Sequence, residues 1–398
     1  MFTRVLRSEL ESAARQLPVV TLLGPRQSGK TTLVKQTFPA HRYVSLEQPD
    51  EREFAAKDPR GFLAAQGGGP VILDEVQRVP DLMSYLQGEL DADETPGRFI
   101  LTGSQNLLLM ENVSQSLAGR TAILRLLPLT LSELLGTPSM DPALLTTQCT
   151  SKQPDNASLW KLIWSGFYPR IHAHGIDPRR WLADYQRTYV ERDLREVLKV
   201  MDLDAFDAFL RLAAARTGQE LNLNEIATDA GITQPTARQW MSALRTGFIC
   251  TWLPPHFQSY RKRIRKRPRL HFCDTGLVCY LLNIHSPEQL MQHPLRGAIF
   301  ETFVVGELLK AFENRGLEPP LYFWRDATGH EIDVLMDLGS ELVPIEVKSG
   351  ATVPSDALNS LKWWLDLPGN NNTKGVLIHG GDRAYVTGGI AVRPWWIT

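Results

Sequence analysis

Short apolar runs punctuate the first third of the chain at Val19–Leu23, Arg42–Leu46, Pro70–Glu75, Arg98–Gln105 and Ala122–Leu127. Stretches with helical spacing separate them. This alternation predicts an open α/β sheet of five parallel strands with ligand bound at the carboxyl ends. Phe2, Val5, Leu6 and Leu10 predict a helix ahead of the first strand. Residues 138–157 are rich in Pro, Thr and Ser and read as a linker or exposed insertion. Residues 158–200 are helical and aromatic, a helical lid whose Trp and Tyr residues belong in the core. Helices are then predicted over Ala205–Thr217, Leu223–Ala230 and Gln234–Thr246, followed by strands over Phe248–Leu253 and Leu270–Phe272. In the last third a helix through Phe300–Leu309 precedes strands at Tyr322–Arg325, Glu331–Met336 and Leu342–Lys348. Asp337–Ser340 makes the turn between the last two, and Gly375–His379 adds a further strand.

Against this pattern one stretch carries chemistry. Gly24-Pro25-Arg26-Gln27-Ser28-Gly29-Lys30-Thr31-Thr32 lies between the first strand and a helix start. Strand, glycine loop and helix N-terminus are the context of a phosphate-binding loop. Gly24 and Gly29 let the backbone N–H groups turn toward phosphate oxygens, and the helix N-terminus adds partial positive charge. Lys30 suits the outer phosphates and Thr31 a Mg²⁺ ion, with Arg26 a further phosphate contact. The third strand ends in Asp74 and Glu75, the first suited to hold Mg²⁺ and its waters, the second to orient an attacking water. Thr102, Ser104 and Gln105 end the fourth strand, where a γ-phosphate sensor would sit, though Ser104 is equally placed to cap a helix. Arg120, in Ser116-Leu117-Ala118-Gly119-Arg120, is a candidate arginine finger in its own site or in that of a neighbouring copy in a homo-oligomer.

Ala227, Gly231 and Ala237 hold the small, turn and apolar positions of a helix-turn-helix. The second helix would present Gln234, Thr236, Arg238 and Gln239 outward, and the strands after it would complete a winged helix. Residues 261–269, RKRIRKRPR, form the expected wing tip, with seven basic side chains suited to DNA phosphates or to docking on the first domain. In the C-terminal part Glu346 and Lys348 are two apart on a strand and share a face, Asp333 sits on the partner strand, and Glu301 comes from the preceding helix. An acid and a lysine on an inner strand suggest a metal-dependent phosphodiesterase site. There Glu301, Asp333 and Glu346 would hold Mg²⁺ or Mn²⁺, and Lys348 would stabilise the transition state.

Composition narrows the reading. The chain has 398 residues, enough for several domains, and a net charge of −1, so any nucleic-acid contact must come from a local patch. Cys149, Cys250, Cys273 and Cys279 lack CxxC spacing, which argues against structural zinc and for reduced thiols. With no signal-peptide core and no membrane-length apolar run, a cytoplasmic protein is expected. The domain limits expected are 1–137, 138–204 for linker and lid, 205–284 for the winged helix, and 285–398 for the C-terminal domain.

GPRQSGKTTL, VILDEVQRVP, ILTGSQ, SLAGR, LPLTLSEL, FYPR, DTGLVCYLL, FETFVVGELLK, YFWRDATGHEIDVLMD and PIEVKSG together resemble a family of prokaryotic AAA-like ATPases with a C-terminal domain of unknown function. The resemblance runs from about residue 15 to 350. It implies a P-loop NTPase domain related to AAA+ and STAND ATPases, a winged helix, and a restriction-endonuclease-like domain. It places nucleotide roles on Lys30, Thr31, Asp74 and Glu75, with ATP and Mg²⁺ as cofactors, and nuclease roles on Glu301, Asp333, Glu346 and Lys348. It does not supply a physiological function. The expectation is an ATP-hydrolysing, DNA-associated protein, the rival a non-cleaving ATP-dependent switch or DNA-binding regulator.

Overall fold

The computed structural model describes residues 2–104, 117–139, 141–147, 158–191, 202–256, 267–326, 328–367 and 373–397. Gln105, Ser116, Cys149 and wing-tip residues 261–266 lie outside the described residues.

β1 (Val19–Leu23), β2 (Arg42–Ser45), β3 (Val71–Asp74), β4 (Phe99–Gly103) and β5 (Thr121–Arg125) form one parallel sheet in the order β2-β3-β4-β1-β5. The inner strands β1, β3 and β4 are buried on both faces, as their uninterrupted apolar runs require. α1 (Arg7–Gln16) and α2 (Lys30–Thr37) cover one face, where Leu6, Leu10 and Leu33 pack on Val20, Leu22 and Ile72. α3 (Pro49–Lys57), α4 (Pro59–Ala64) and α5 (Leu82–Ala92) cover the other, with Phe62, Leu86 and Leu90 against Val19, Leu73 and Leu101. Each such fully buried side chain contributes about 1.5–3 kcal/mol. The strand order brings the carboxyl ends of β1 and β3 beside β4, where the glycine loop and Asp74 face one another.

α6 (Leu131–Leu135) leaves the sheet through a capping box in which Thr130 and Glu133 satisfy each other's backbone N–H groups. α7 (Leu159–Ser165), α8 (Pro169–His174) and α9 (Pro178–Tyr185) follow. Tyr168 and Tyr185 are buried and share a hydroxyl hydrogen bond of 2.9 Å, so here the aromatics do pack as core. α10 (Leu203–Ala215), α11 (Leu223–Asp229) and α12 (Gln234–Thr246) pack beside a small antiparallel sheet. Its strands are β6 (Gln219–Glu220), β7 (Cys250–Leu253) and β8 (Arg269–Phe272), in the order β6-β8-β7. On α12 Arg238 and Gln239 are exposed, while Ala237, Trp240 and Leu244 are buried.

After α13 (Thr275–Leu281) and α14 (Pro287–Gln292) comes the long helix α15 (Arg296–Glu313). It lies on a mixed sheet made of β9 (Leu321–Arg325), β10 (Glu331–Asp337), β11 (Leu342–Lys348), β12 (Gly375–His379), β13 (Tyr385–Thr387) and β14 (Ile390–Pro394). The order is β13-β14-β12-β11-β10-β9, and α16 (Asn359–Leu365) contributes Leu361 and Trp364 to a separate core with Leu335 and Leu377. One apolar core runs unbroken from Leu129 through the middle helices to Phe300, Ile345 and Trp395. The helical middle and the C-terminal sheet therefore share an interior. Polar contacts join the first sheet to it as well. Leu131 N–H donates to Glu307 Oε2 at 2.8 Å and Lys310 Nζ donates to Leu129 O at 2.8 Å. No helix among the described residues is long and apolar enough to cross a membrane.

Two expected placements are corrected. Arg120 sits just before β5, next to the amino end of β1, where Val19 N–H donates to its carbonyl at 3.2 Å. Its side chain pairs with Asp91 at 2.6 Å and Glu94 at 3.4 Å. The glycine loop is at the opposite end of β1, so Arg120 is no arginine finger for its own site. Arg269, expected in the exposed wing tip, is buried in β8 and points into the C-terminal unit.

Candidate functional site

The loop after β1 is shaped by close backbone approach. A Cβ at Gly24 would stand 2.2 Å from the Leu126 carbonyl oxygen, so the turn admits only glycine there. Gly29 caps α2 with φ 96°, a conformation open to glycine. Gln27 adopts φ 63°, Ser28 is fully buried with its hydroxyl on Pro25 O at 2.9 Å, and Arg26 approaches Glu47 at 3.7 Å. Thr32 follows on α2, exposed at the rim.

Lys30, at the start of α2, folds back against the loop. Its side chain is buried and Nζ donates to the carbonyls of Gly24 and Pro25, each at 2.9 Å. Burial lowers its pKa, while Glu75 and Asp74 act in the opposite direction.

Asp74 is the centre of the polar network. Thr31 Oγ1 donates to it at 3.0 Å, the Tyr43 hydroxyl at 2.7 Å from β2, and Thr102 Oγ1 from β4. Burial and the Asp74 carboxylate push the Tyr43 pKa up, keeping its hydroxyl a donor. Glu75 stands in a left-handed conformation, φ 60° and ψ 44°, rarely adopted by a non-glycine residue. That turn ends β3 and brings Glu75 to line the same cavity as the glycine loop. Gln77 Nε2 donates to Glu75 Oε2 and, at 2.9 Å, to Ser104 Oγ, so Ser104 reaches Glu75 through Gln77.

A cavity of about 650 Å³ opens over the loop. Arg26–Thr32, Asp74 and Glu75 make its polar floor, and Phe2, Leu129, Pro169, Arg170 and His174 its walls. Thr31 and Asp74 offer hard oxygen donors side by side, the donor set Mg²⁺ prefers with a nucleotide and waters. Arg4, itself part of the cavity wall, braces the loop. Its guanidinium donates to Ser28 O and Leu127 O, each at 2.7 Å, and pairs with Glu133 at 3.1 Å.

The C-terminal residues form a second cluster centred on Asp333. A bulge between Ile332 and Leu335 interrupts the pairing with β9 and re-aims Asp333, whose Oδ2 accepts the Val347 N–H at 2.9 Å. Glu346 Oε1 accepts from Lys348 at 2.6 Å, while Ile345 and Val347 join the core shared with α15. Arg269 reaches Glu301 at 3.2 Å, Glu331, and Asp333 at 3.9 Å. Burial and then Asp333 raise Glu301 to about 8. Burial and then Asp333 raise Glu346 to about 7. His271 is fully buried, and burial and Arg269 lower it to about 3. As it stands, no group of three His, Cys, Asp or Glu side chains among the described residues is disposed to hold a metal ion. The expected metal site is therefore not assembled, because a guanidinium lies among its carboxylates.

Sequence reading missed Arg4, Tyr43, Gln77 and Arg170 at the first site and Arg269, His271 and Glu331 at the second. Arg170 lies in FYPR, one of the stretches that carry the family resemblance, and that was its one signal. Arg4 carried none, being a lone arginine far from the loop in sequence.

Residues 16–135 match the AAA domain family. Residues 156–288 and 296–397 match two domains of unknown function, DUF8612 and DUF4143. Among solved structures, the Walker-type ATPase PABY2304 of Pyrococcus abyssi has TM-score 0.42 and 16% identity over 71% of this chain and 96% of its own. AMPPCP-bound DnaA from Aquifex aeolicus has TM-score 0.29 and 13% identity over 61% of this chain and 86% of its own. Neither likeness is close enough to bear on function. Two curated relatives are nearer in sequence: the uncharacterized proteins Rv2008c of Mycobacterium tuberculosis and Mb2031c of Mycobacterium bovis. Each is 31% identical over 350 residues, 87% of this chain and 73% of the relative. With an AAA domain at its start and identity of this extent, the chain belongs to the family of AAA-domain proteins that includes Rv2008c and Mb2031c.

Proposed function

We propose that this chain is an ATP-hydrolysing, nucleic-acid-associated protein of the cytoplasm whose nucleotide state is passed to its C-terminal unit. The observation that carries the reading is the convergence of Lys30, Thr31, Asp74 and Glu75 on one cavity of about 650 Å³. The α2 N-terminus and the loop N–H groups suit a polyphosphate, and Lys30 supplies the counter-charge. Thr31 and Asp74 would hold Mg²⁺, which would offset the negative charge of a bound polyphosphate. Glu75, fixed by Gln77, orients the attacking water and draws its proton. Phe2, Leu129 and Pro169 provide apolar contact for a base. Arg4 and Glu133 tie the loop to α6, and Glu307 ties α6 to α15. That is a contiguous route from phosphate to the C-terminal unit.

ATP turnover and binding in Glu75→Gln test this reading. Binding should persist while hydrolysis falls by about 10²–10⁴-fold. Wild-type turnover in the variant would remove Glu75 from the reaction.

For the remaining units we read α11, α12 and the β6-β8-β7 sheet as a winged helix, with residues 261–267 as its DNA-facing charge. The C-terminal sheet is read as nuclease-like. Here one observation favours the rival, a non-cleaving switch: Arg269 sits among Glu301, Glu331 and Asp333, where a catalytic cation would be needed. Metal-dependent cleavage of DNA or RNA by the full chain would decide against that rival.

A further inference from the structure

Asp274 is buried and caps α13 with one oxygen, Oδ1 accepting the Leu277 N–H at 3.0 Å. The other oxygen reaches back 107 positions, where Oδ2 accepts the Phe167 N–H at 2.7 Å. A cap needs a single oxygen, which serine or asparagine also supplies. Accepting both N–H groups takes a carboxylate. The two backbones approach closely enough to require glycine on each side. A Cβ at Gly166 would stand 2.3 Å from Asp274 Oδ1, and one at Gly276 would stand 2.7 Å from Gly166 Cα.

Phe167 is thereby held from three directions. Its N–H goes to Asp274, its carbonyl accepts the Leu129 N–H at 2.9 Å, and its ring stacks on Phe303 of α15 with centroids 5.7 Å apart. Tyr168 follows as the N-cap of α8 and makes no side-chain cap, so the turn before it sets the direction in which α8 starts. Pro169 and Arg170, the first two residues of α8, stand in the wall of the cavity over the glycine loop. Of the other arginine and lysine side chains in that wall, Arg4 and Lys30 donate to carbonyl oxygens and Arg26 approaches Glu47. Arg170 is exposed, with no hydrogen bond or ion pair from its side chain among the described residues.

We propose that Asp274 is a positioning residue for the nucleotide site: by fixing Phe167 it sets the start of α8 and holds Arg170 in the cavity wall as a cation for the bound polyphosphate. This rests on reading the cavity as an ATP site, and it gives the DTGL and FYPR stretches one shared role. Asp274 does not line the cavity itself and acts through the turn. Without its second oxygen α13 stays capped, but the Phe167 N–H loses its acceptor and α8 its fixed start. Arg170 then no longer meets phosphate oxygens in one geometry, which charge-assisted hydrogen bonds require.

Calorimetric titration of the full chain with ATP and Mg²⁺, with thermal unfolding alongside, tests this. Asp274→Ser keeps a capping oxygen for α13 and cannot also reach Phe167. It should weaken ATP binding on the order of tenfold, the scale of one hydrogen bond to a charged group. Arg170→Ala should weaken binding by a similar factor at an unchanged thermal midpoint, since its side chain is exposed. The combined variant should bind no more weakly than Arg170→Ala alone, because Asp274 acts through Arg170. Thr275→Val removes a neighbouring bond at the same helix start, Thr275 Oγ1 to Ile163 O at 2.8 Å. It should lower the thermal midpoint and leave ATP affinity at the wild-type value. If Asp274→Ser folds poorly, Asp274→Asn keeps the side-chain shape and takes its place with the same outcomes expected. Wild-type affinity in Arg170→Ala or in the Asp274 variant overturns the proposal, as do losses that multiply in the combined variant. Thr275→Val weakening ATP as much as the Asp274 variant also overturns it, since the effect is then one of general stability. Absence of ATP binding by the wild type removes the nucleotide reading and this inference together. Equal ATP binding by the wild type and every variant removes this inference alone.

Discussion

The Tyr43 hydroxyl donates to Asp74 Oδ2 at 2.7 Å across adjoining strands. With Thr31 from α2 and Thr102 from β4, it makes Asp74 the acceptor of three hydroxyls from three elements. Tyr43→Phe removes one donor and leaves the ring in place. A hydrogen bond to a charged group contributes about 1.5–3 kcal/mol, so turnover at limiting Mg²⁺ should fall by about tenfold or more. Unchanged Mg²⁺ dependence would show that the two threonines suffice.

Lys30→Ala should cost stability as well as nucleotide. The carbonyls of Gly24 and Pro25 lose their shared donor, at about 1–3 kcal/mol if left unsatisfied. Calorimetry should detect no ATP binding, and the thermal midpoint should drop. A variant as stable as the wild type would mean that water replaces the ammonium without loss.

Arg4→Ala should weaken ATP binding without removing any group expected to touch phosphate. It frees the Ser28 carbonyl and leaves buried Glu133 without its guanidinium, a change of about 3–5 kcal/mol for a buried pair. Thermal unfolding with and without ATP checks both parts. Loss of stability with full affinity would separate the brace from the loop.

His271 predicts an acid-side loss of stability. Its folded pKa is lowered from 6.5 to about 3, so below pH 6.5 the unfolded chain takes a proton that the folded chain refuses. This contribution is complete above pH 6.5 and is lost as pH falls toward 3, by at most about 1.4 kcal/mol per pH unit. Neighbouring Glu301 titrates in the opposite sense, its raised pKa costing stability as pH rises, so wild type must be compared with His271→Asn. Parallel pH profiles for the two proteins would refute a neutral buried His271.

Replacing Arg261, Lys262, Arg263, Arg265, Lys266 and Arg267 with Gln should weaken DNA binding and flatten its salt dependence. Six phosphate contacts correspond to a log–log slope of about −5. Arg269 is left out because it is buried among carboxylates. If affinity and slope stay at wild-type values, the tip is a docking element.

The parallel sheet was legible because its inner strands β1, β3 and β4 are continuous apolar runs ended by small or acidic residues, and the five strands expected lie within a residue or two of those observed. The glycine loop was legible for the same local reason, since its chemistry lies in consecutive residues. What stayed hidden was long-range. Arg4 meets Ser28 and Glu133, residues 24 and 129 positions away, and no periodicity encodes such a contact. Arg269 misled because it ends a basic run, and charge runs suggest solvent; its register in β8, opposite Leu253, turns it inward instead. Arg120 misled in the other direction, since its motif fixes its identity but not which end of the sheet it occupies.

The contacts of Leu129 and Leu131 with Lys310 and Glu307 also set an order of events during synthesis. They join residues 181 and 176 positions apart. At about 5–20 residues per second, on the order of ten to forty seconds separate the emergence of α6 from the ribosome and that of α15. Through that interval the nucleotide unit has its sheet but lacks the helix that closes its last turn. The nascent chain therefore acquires a phosphate-binding loop before it acquires the partner through which that loop would be read.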